Sequence, residues 1–299
     1  MLRSDHPLAR IVDAYRTAEF ATLTSDGTPI AWPTAIVRNE DGKILVTTSL
    51  AFPQKALNVR RDGRVALLLS DPTASGLADP PQILIRGTAT CPEQIHTAPE
   101  GDLGRLWVSL FERQPIVRAY LRAGARRFTD WYFMRLLITV TPTEITTAPR
   151  PADGPGITGG TLLGAQALTG YGTAVLAATD RDGAPVLRRT TITSTADGYG
   201  IELDDDTAIT PGTASLLVHR HDEKLSALHN AVLRGTLTRT GSGWVLAPER
   251  LIQPMGRGPR DMLRTVQSCR KATRRYLDRR GLARPVIPWA AYRELTGKR

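Results

Sequence analysis

The chain has 299 residues, two cysteines and a formal net charge of +10, enough length for two domains that each bury a core. Its longest apolar runs, such as "RVALLLS" (64–70) and "MRLLITV" (134–140), fall far short of the roughly 20 residues of a bilayer-spanning helix. No secretory signal opens the chain, so a cytoplasmic protein with no membrane partner is expected. Cys91 and Cys269 lie far apart and outside any Cys-x-x-Cys arrangement, which excludes a disulfide framework or a cysteine zinc site and leaves them as packing residues.

Taken in chain order, Leu8, Ile11, Val12 and Tyr15 fall at i, i+3, i+4 and i+7, the spacing of an opening helix. "FATLTSDGTPIAWPTAI" (20–36) follows as strand, Asp-Gly turn and strand, with Pro29 where no ladder donor is required. Next come the strand "GKILVTTS" (42–49), a helix start at Lys55 and Asn58, the charged turn "RRDGR" (60–64) and the strands "RVALLLS" and "ILIRGTAT" (83–90). A helical insertion then shows Leu106, Leu110, Val117, Tyr120 and Leu121 as its apolar positions, before the strand "ITVTPTEI" (138–145). Rich in Pro and Gly and without periodicity, "TAPRPADGPGITGG" (147–160) marks a linker.

Beyond the linker the same landmarks return. "AVLAATDRDGAPVLRRTTI" (174–192) matches the first hairpin, Arg234-Gly235-Thr236 matches Arg86-Gly87-Thr88, and Pro248 matches Pro142. From Asp-Gly to Arg-Gly the second copy is shorter by about eight residues, and it has no Lys or Asn there but three consecutive acids, Asp204 to Asp206. Both copies read as short antiparallel strands joined by Gly and Asp turns, a small barrel or sandwich, and closure is favoured because it removes sheet edges. His219, His221 and His229 match no common metal or haem spacing, so hydrogen-bonded or exposed histidines and no metal site are expected.

The charge excess belongs to the end of the chain. Residues 256–299 hold 13 Lys and Arg against 3 Asp and Glu, while residues 1–255 hold 26 of each sign. Met262, Val266, Cys269, Thr273 and Tyr276 recur at helical spacing, with Arg260, Arg264, Lys271 and Arg275 on other faces. This predicts a basic helix docked on the body. Nucleic acid is not an expected partner, because the tail has no interleaved aromatic residues for base stacking.

The order of helix, "FATLTSDGTPIAWPTAIV", "GKILVTTS", Lys-x-x-Asn, "RRDGRVALLL", "IRGTAT", helical insertion and "LLITVTPTEI" resembles the flavin-binding split β-barrel superfamily. That group contains the pyridoxamine 5′-phosphate oxidases and the reductases that use the deazaflavin coenzyme F420. The resemblance implies a mainly β protein with flanking helices: two tandem split β-barrels and a basic C-terminal helix. It divides the chain into a cofactor-binding domain (1–146), a linker (147–170), a shortened second barrel (171–255) and the tail (256–299).

The resemblance further implies an oxidoreductase that moves hydride between FMN or F420 and a small-molecule substrate, the alternative being a carrier of flavin or haem without catalysis. Thr47, Thr48 and Ser49 would offer donors to the cofactor's phosphate, Lys55 a point charge, and Arg60 or Arg61 a fork. Asn58 would orient the helix start, and Trp32, Pro33 and Thr34 would lie along the ring. The second barrel would bind no cofactor and stand in for a partner barrel, within one chain or at the interface of a homodimer, with Arg188 and Arg189 toward the groove. No catalytic side chain is placed, since the ring carries the redox chemistry.

Overall fold

The computed structural model describes residues 2–203, 208–225, 228–241, 243–252 and 259–297; the acids Asp204, Asp205 and Asp206 lie outside the described residues. The first half runs α1 (Ala9–Ala14), β1 (Ala18–Leu23), β2 (Pro29–Thr34), β3 (Ile36–Arg38), β4 (Ile44–Ser49), α2 (Gln54–Arg61), β5 (Arg64–Leu69) and β6 (Gln82–Thr90). Three helices follow, α3 (Gly101–Arg113), α4 (Pro115–Ala119) and α5 (Ala123–Phe133), and then β7 (Arg135–Ala148). Pro115 is what breaks the predicted helical insertion, since it has no N–H to continue α3 and opens α4 instead.

The first sheet has the order β2-β1-β5-β6-β7-β4-β3. Its two outer strands are consecutive in the chain and separated only by Ala35. The sheet therefore curls back on itself and is split at that residue. The second half runs α6 (Ala165–Leu168), β8 (Thr173–Thr179), β9 (Pro185–Ser194), β10 (Tyr199–Ile201), β11 (Thr210–Arg220), β12 (His229–Thr240) and β13 (Gly243–Ile252). These six strands form a closed barrel in the order β10-β13-β12-β11-β8-β9. The protein is mainly β with flanking helices, and its strands make a split barrel followed by a smaller closed one.

The two barrels share a local device at the Arg-Gly pair. The register of β6 on β7 slips between Arg86 and Gly87, and that of β12 on β13 slips between Arg234 and Gly235. After the slip Gly87 faces Pro142 and Gly235 faces Pro248. Each proline sits beside a bulge, where a ladder donor is dispensable. Each glycine is required by space, because a Cβ would run into the carbonyl oxygen of Thr141 or Ala247.

The chain ends in α7 (Pro259–Asp278) and α8 (Trp289–Gly297). Although they follow the second barrel, Tyr276, Leu277, Ile287 and Tyr292 are buried in the core of the first. Cys269, Thr273 and Tyr276 form the buried stripe expected of the tail, but Met262 does not join it and is 65% exposed. The first turn of α7 overhangs the body, so the helical spacing extends further than the surface that it packs on.

Between the barrels lies an apolar layer: Ala21, Ala31, Ala66 and Leu68 from the first against Val175, Leu187, Leu217 and Val232 from the second. The alanines let two sheets approach closely. At one side the contacts are reciprocal. Arg86 of the first barrel pairs with Asp180 at the second barrel's hairpin, and Arg234 of the second reaches Asp26 at the first barrel's hairpin at 2.7 Å.

At the other side Glu19, 1% exposed, accepts from His219 Nε2 at 2.6 Å, Ser70 Oγ at 2.7 Å and Arg189 Nη2 at 3.0 Å. Asp71 stands 3.4 Å from His221 Nε2 and 3.9 Å from His219 Nδ1. Burial alone would raise the Glu19 carboxyl, but the His219 bond and charge, the Arg189 charge and the Ser70 bond outweigh it and hold it below its ordinary value. Asp71 is likewise lowered against its burial, by bonds from Thr73 and the charges of His221 and His219.

A depressed carboxyl adds stability that is fully present above the unfolded-state value and lost as pH falls through the folded one. Stability measured by urea midpoint should therefore drop steeply as pH falls below about 4.5, the ordinary value for Glu19. Glu19→Gln should lose part of that slope and cost about 3–5 kcal/mol near neutral pH, because Arg189 is left buried without its carboxylate. An unchanged acid slope in the variant would remove Glu19 from this role.

Candidate functional site

The last three residues of β4 pair with the start of β7: Thr47 with Leu137, Thr48 with Leu136 and Ser49 with Arg135. Strand alternation separates them. Leu136 belongs to the barrel core, and Thr48 on its side donates from Oγ1 to Phe52 O at 2.6 Å, which ties down the turn into α2. Thr47 and Ser49 share the other face with Arg135. The Arg135 backbone is fixed by a two-way bridge to His96, with both N–H to O distances 2.8 Å.

Arg135 is 6% exposed. Its guanidinium carbon lies 4.0 Å from the Tyr132 ring centre and 5.0 Å from that of Trp107, rings supplied by α5 and α3. Nε and one Nη have no hydrogen-bond partner. Lys55, in the first turn of α2, makes no hydrogen bond or ion pair among the described residues. Burial, helped by the Arg135 charge, pushes its ammonium down to about 8. Two cations thus influence each other, with Thr47 and Ser49 on Arg135's face of the strands, and neither forms an ion pair among the described residues. Buried charge without a partner is unfavourable, and an anion at this point would relieve it.

The rest of the expected cradle is engaged elsewhere. Asn58 is fully buried, donates to Thr22 Oγ1 at 2.9 Å and accepts from Gln54 at 2.7 Å and Arg61 at 3.1 Å. Arg60 donates to Cys91 O at 2.8 Å, Pro92 O at 2.6 Å and the Tyr276 hydroxyl at 3.2 Å; Arg61 donates to Leu23 O at 2.7 Å. These three side chains fasten α2 to the barrel and the tail. Arg135 was not singled out from the sequence, where its only sign is a lone cation opening an apolar strand.

Trp32, Pro33 and Thr34 lie on β2, which packs against β11 and β8 at the inter-barrel layer. Trp32 packs on that layer and Pro33 is the strand partner of Glu19. Arg189 enters the seam, as do His219 and His221, whereas His229 Nδ1 lies 2.6 Å from the Tyr171 hydroxyl. No group of three or more His, Cys, Asp or Glu among the described residues is arranged to hold a metal ion. A cavity of about 380 Å³ opens between Phe52, in the turn before Lys55, and α7, where Arg264, Thr265, Ser268 and Cys269 line it. Burial pushes the Cys269 thiol up to about 11, which leaves it unreactive at neutral pH.

No protein-family model matches the chain, and no curated protein matches it. Among solved structures, it is similar to a conserved hypothetical protein of Mycobacterium tuberculosis, with 26% identity over 49% of this chain and 84% of that one, TM-score 0.35. It is also similar to an F420 reductase, with 18% identity over 47% and 97% of the two chains, TM-score 0.30. A third is a haem storage protein of Vibrio cholerae, with 14% identity over 50% and 97%, TM-score 0.32. The split barrel and closed barrel described above are the fold that the sequence resemblance implied.

The electrostatics of the cradle can be read without any cofactor. Isotope-labelled methylation of lysines, followed by NMR titration, should give one resonance that titrates near 8 and disappears in Lys55→Arg. Replacing Arg135 with Met should raise the midpoint of that titration, since a like charge is removed. A Lys55 signal that titrates with the surface lysines would contradict this geometry.

Proposed function

We propose that the first barrel binds FMN or coenzyme F420 and that the chain is an oxidoreductase acting on a small organic molecule. The observation that carries this is the Arg135 guanidinium, buried and without partners at two of its donors, close enough to Lys55 that its charge, after burial, helps lower that ammonium to about 8. A phosphate fits this donor set: Arg135 offers directed N–H groups, Lys55 a point charge, and Thr47 and Ser49 hydroxyls. Trp32, Pro33 and Thr34 are the residues that would lie along the ring. When bound, the ring supplies hydride transfer; the protein binds it, orients it and keeps water away.

In the same reading the second barrel is a duplicate that has given up its own cofactor and serves as the partner barrel. The shared Asp-Gly hairpins, the matching slips at Arg86 and Arg234 and the reciprocal pairs with Asp180 and Asp26 support a duplication. The seam would then do within one chain what a dimer interface does between two.

Fluorescence titration of the purified protein with FMN and with F420, in parallel, tests the proposal. One of them should bind, and Lys55→Ala should weaken it by about 1–3 kcal/mol, roughly 5- to 150-fold. Affinity should fall as pH rises through about 8, where Lys55 loses its charge in the free protein; a rise would contradict the assignment. Binding of neither cofactor would remove the proposal. Binding without turnover of any substrate by the reduced cofactor would make the protein a carrier.

A further inference from the structure

The outward half of α7 carries Arg270, Lys271, Arg274 and Arg275, with Arg279 just beyond its end, all exposed. The ion pairs of this region are Arg264 with Asp261 and Arg284 with Asp130. None of those five cations pairs with a carboxylate among the described residues. Packed alongside, α5 brings a sixth in Arg127, and with it Phe128, which is 41% exposed. The guanidinium carbons of Arg127 and Arg270 lie 4.6 and 5.7 Å from the Phe128 ring centre. An aromatic residue therefore stands in the cationic stripe. The tail sequence has none at that place, because Phe128 comes from a helix more than a hundred residues earlier.

We propose that this surface binds the sugar-phosphate backbone of single-stranded nucleic acid, with Phe128 and its flanking guanidinium planes as a stacking platform for a base. Although Asp278 lies among them, cations at helical spacing that form no ion pair among the described residues match a chain of phosphates, and an exposed ring in their midst matches unpaired bases. An anionic membrane fits less well. The apolar stripe of α7 that could enter a bilayer, Cys269, Thr273 and Tyr276, is already buried against the first barrel. Among the described residues of the helix, the exposed large apolar side chains are Met262 and Leu263 at its far end, with Leu282 and Val286 exposed singly in the loop that follows it. The site lies outside the Lys55 and Arg135 cradle, so it stands or falls independently of the cofactor.

Anisotropy of a fluorescein-labelled 20-nucleotide oligothymidylate, titrated with the full chain, is the test, with phosphatidylserine-containing vesicles in a parallel sedimentation assay. Contact by all six cations predicts a log–log salt slope of about −4, or roughly 300-fold weaker binding at 200 mM than at 50 mM salt. The double variant Arg270→Glu, Arg274→Glu should weaken binding by at least tenfold at 100 mM salt while its melting temperature and cofactor titration are unchanged. Phe128→Ala should weaken it roughly 5- to 150-fold with the salt slope kept, as stacking rather than charge is lost. No binding at 50 mM salt, equal binding by the double variant, or binding to vesicles but not to the oligonucleotide would each overturn the proposal.

Discussion

The arrangement of the whole molecule depends on one carboxylate. Glu19, on the first strand of the first barrel, is almost fully buried and meets His219 and Arg189 of the second barrel. A buried carboxylate needs its cations, and a buried guanidinium needs its carboxylate. Neither barrel can expose this face without leaving charge uncompensated. Around it, the alanine-rich layer and the exchanged pairs of Arg86 with Asp180 and Arg234 with Asp26 fix the one orientation in which all contacts close. The polar groups specify the register, and the apolar layer supplies the driving force.

The cradle at Arg135 has the opposite character. Where Glu19 meets a histidine and an arginine of the second barrel, Arg135 and Lys55 meet no carboxylate among the described residues, in a sheltered place floored by Tyr132 and Trp107. The helices brought in by the insertion and the tail create that shelter, so the elements that look most dispensable to the barrel are the ones that desolvate the cations.

Much of the fold was legible because its signals are local. Asp26-Gly27, Asp182-Gly183, the Arg-Gly pairs and the apolar alternation each act within a few residues, and the barrels follow from them. The site was legible only in part. Thr47 and Ser49 share a strand face with Arg135 and Lys55 feels its charge, while Thr48, Asn58, Arg60 and Arg61 bond to other parts of the protein. Within α2, one turn carries Asn58 and Arg61 to the barrel end and Arg60 to the Cys91 loop. Charge density along a sequence does not say which way a helix turns each residue.

What stayed hidden depends on partners far apart in the chain. Arg135 acquires meaning from Trp107 and Lys55, Glu19 from Arg189 and His219, and Phe128 from Arg270. None of these pairs has a periodicity or a spacing.

Native mass spectrometry, with the cofactor that binds present in slight excess, tests the central claim most directly. If the seam between barrels takes the place of a subunit interface, a single chain of 32.6 kDa should carry one cofactor. Cofactor retained only by species of two chains, with none on the single chain, would contradict it.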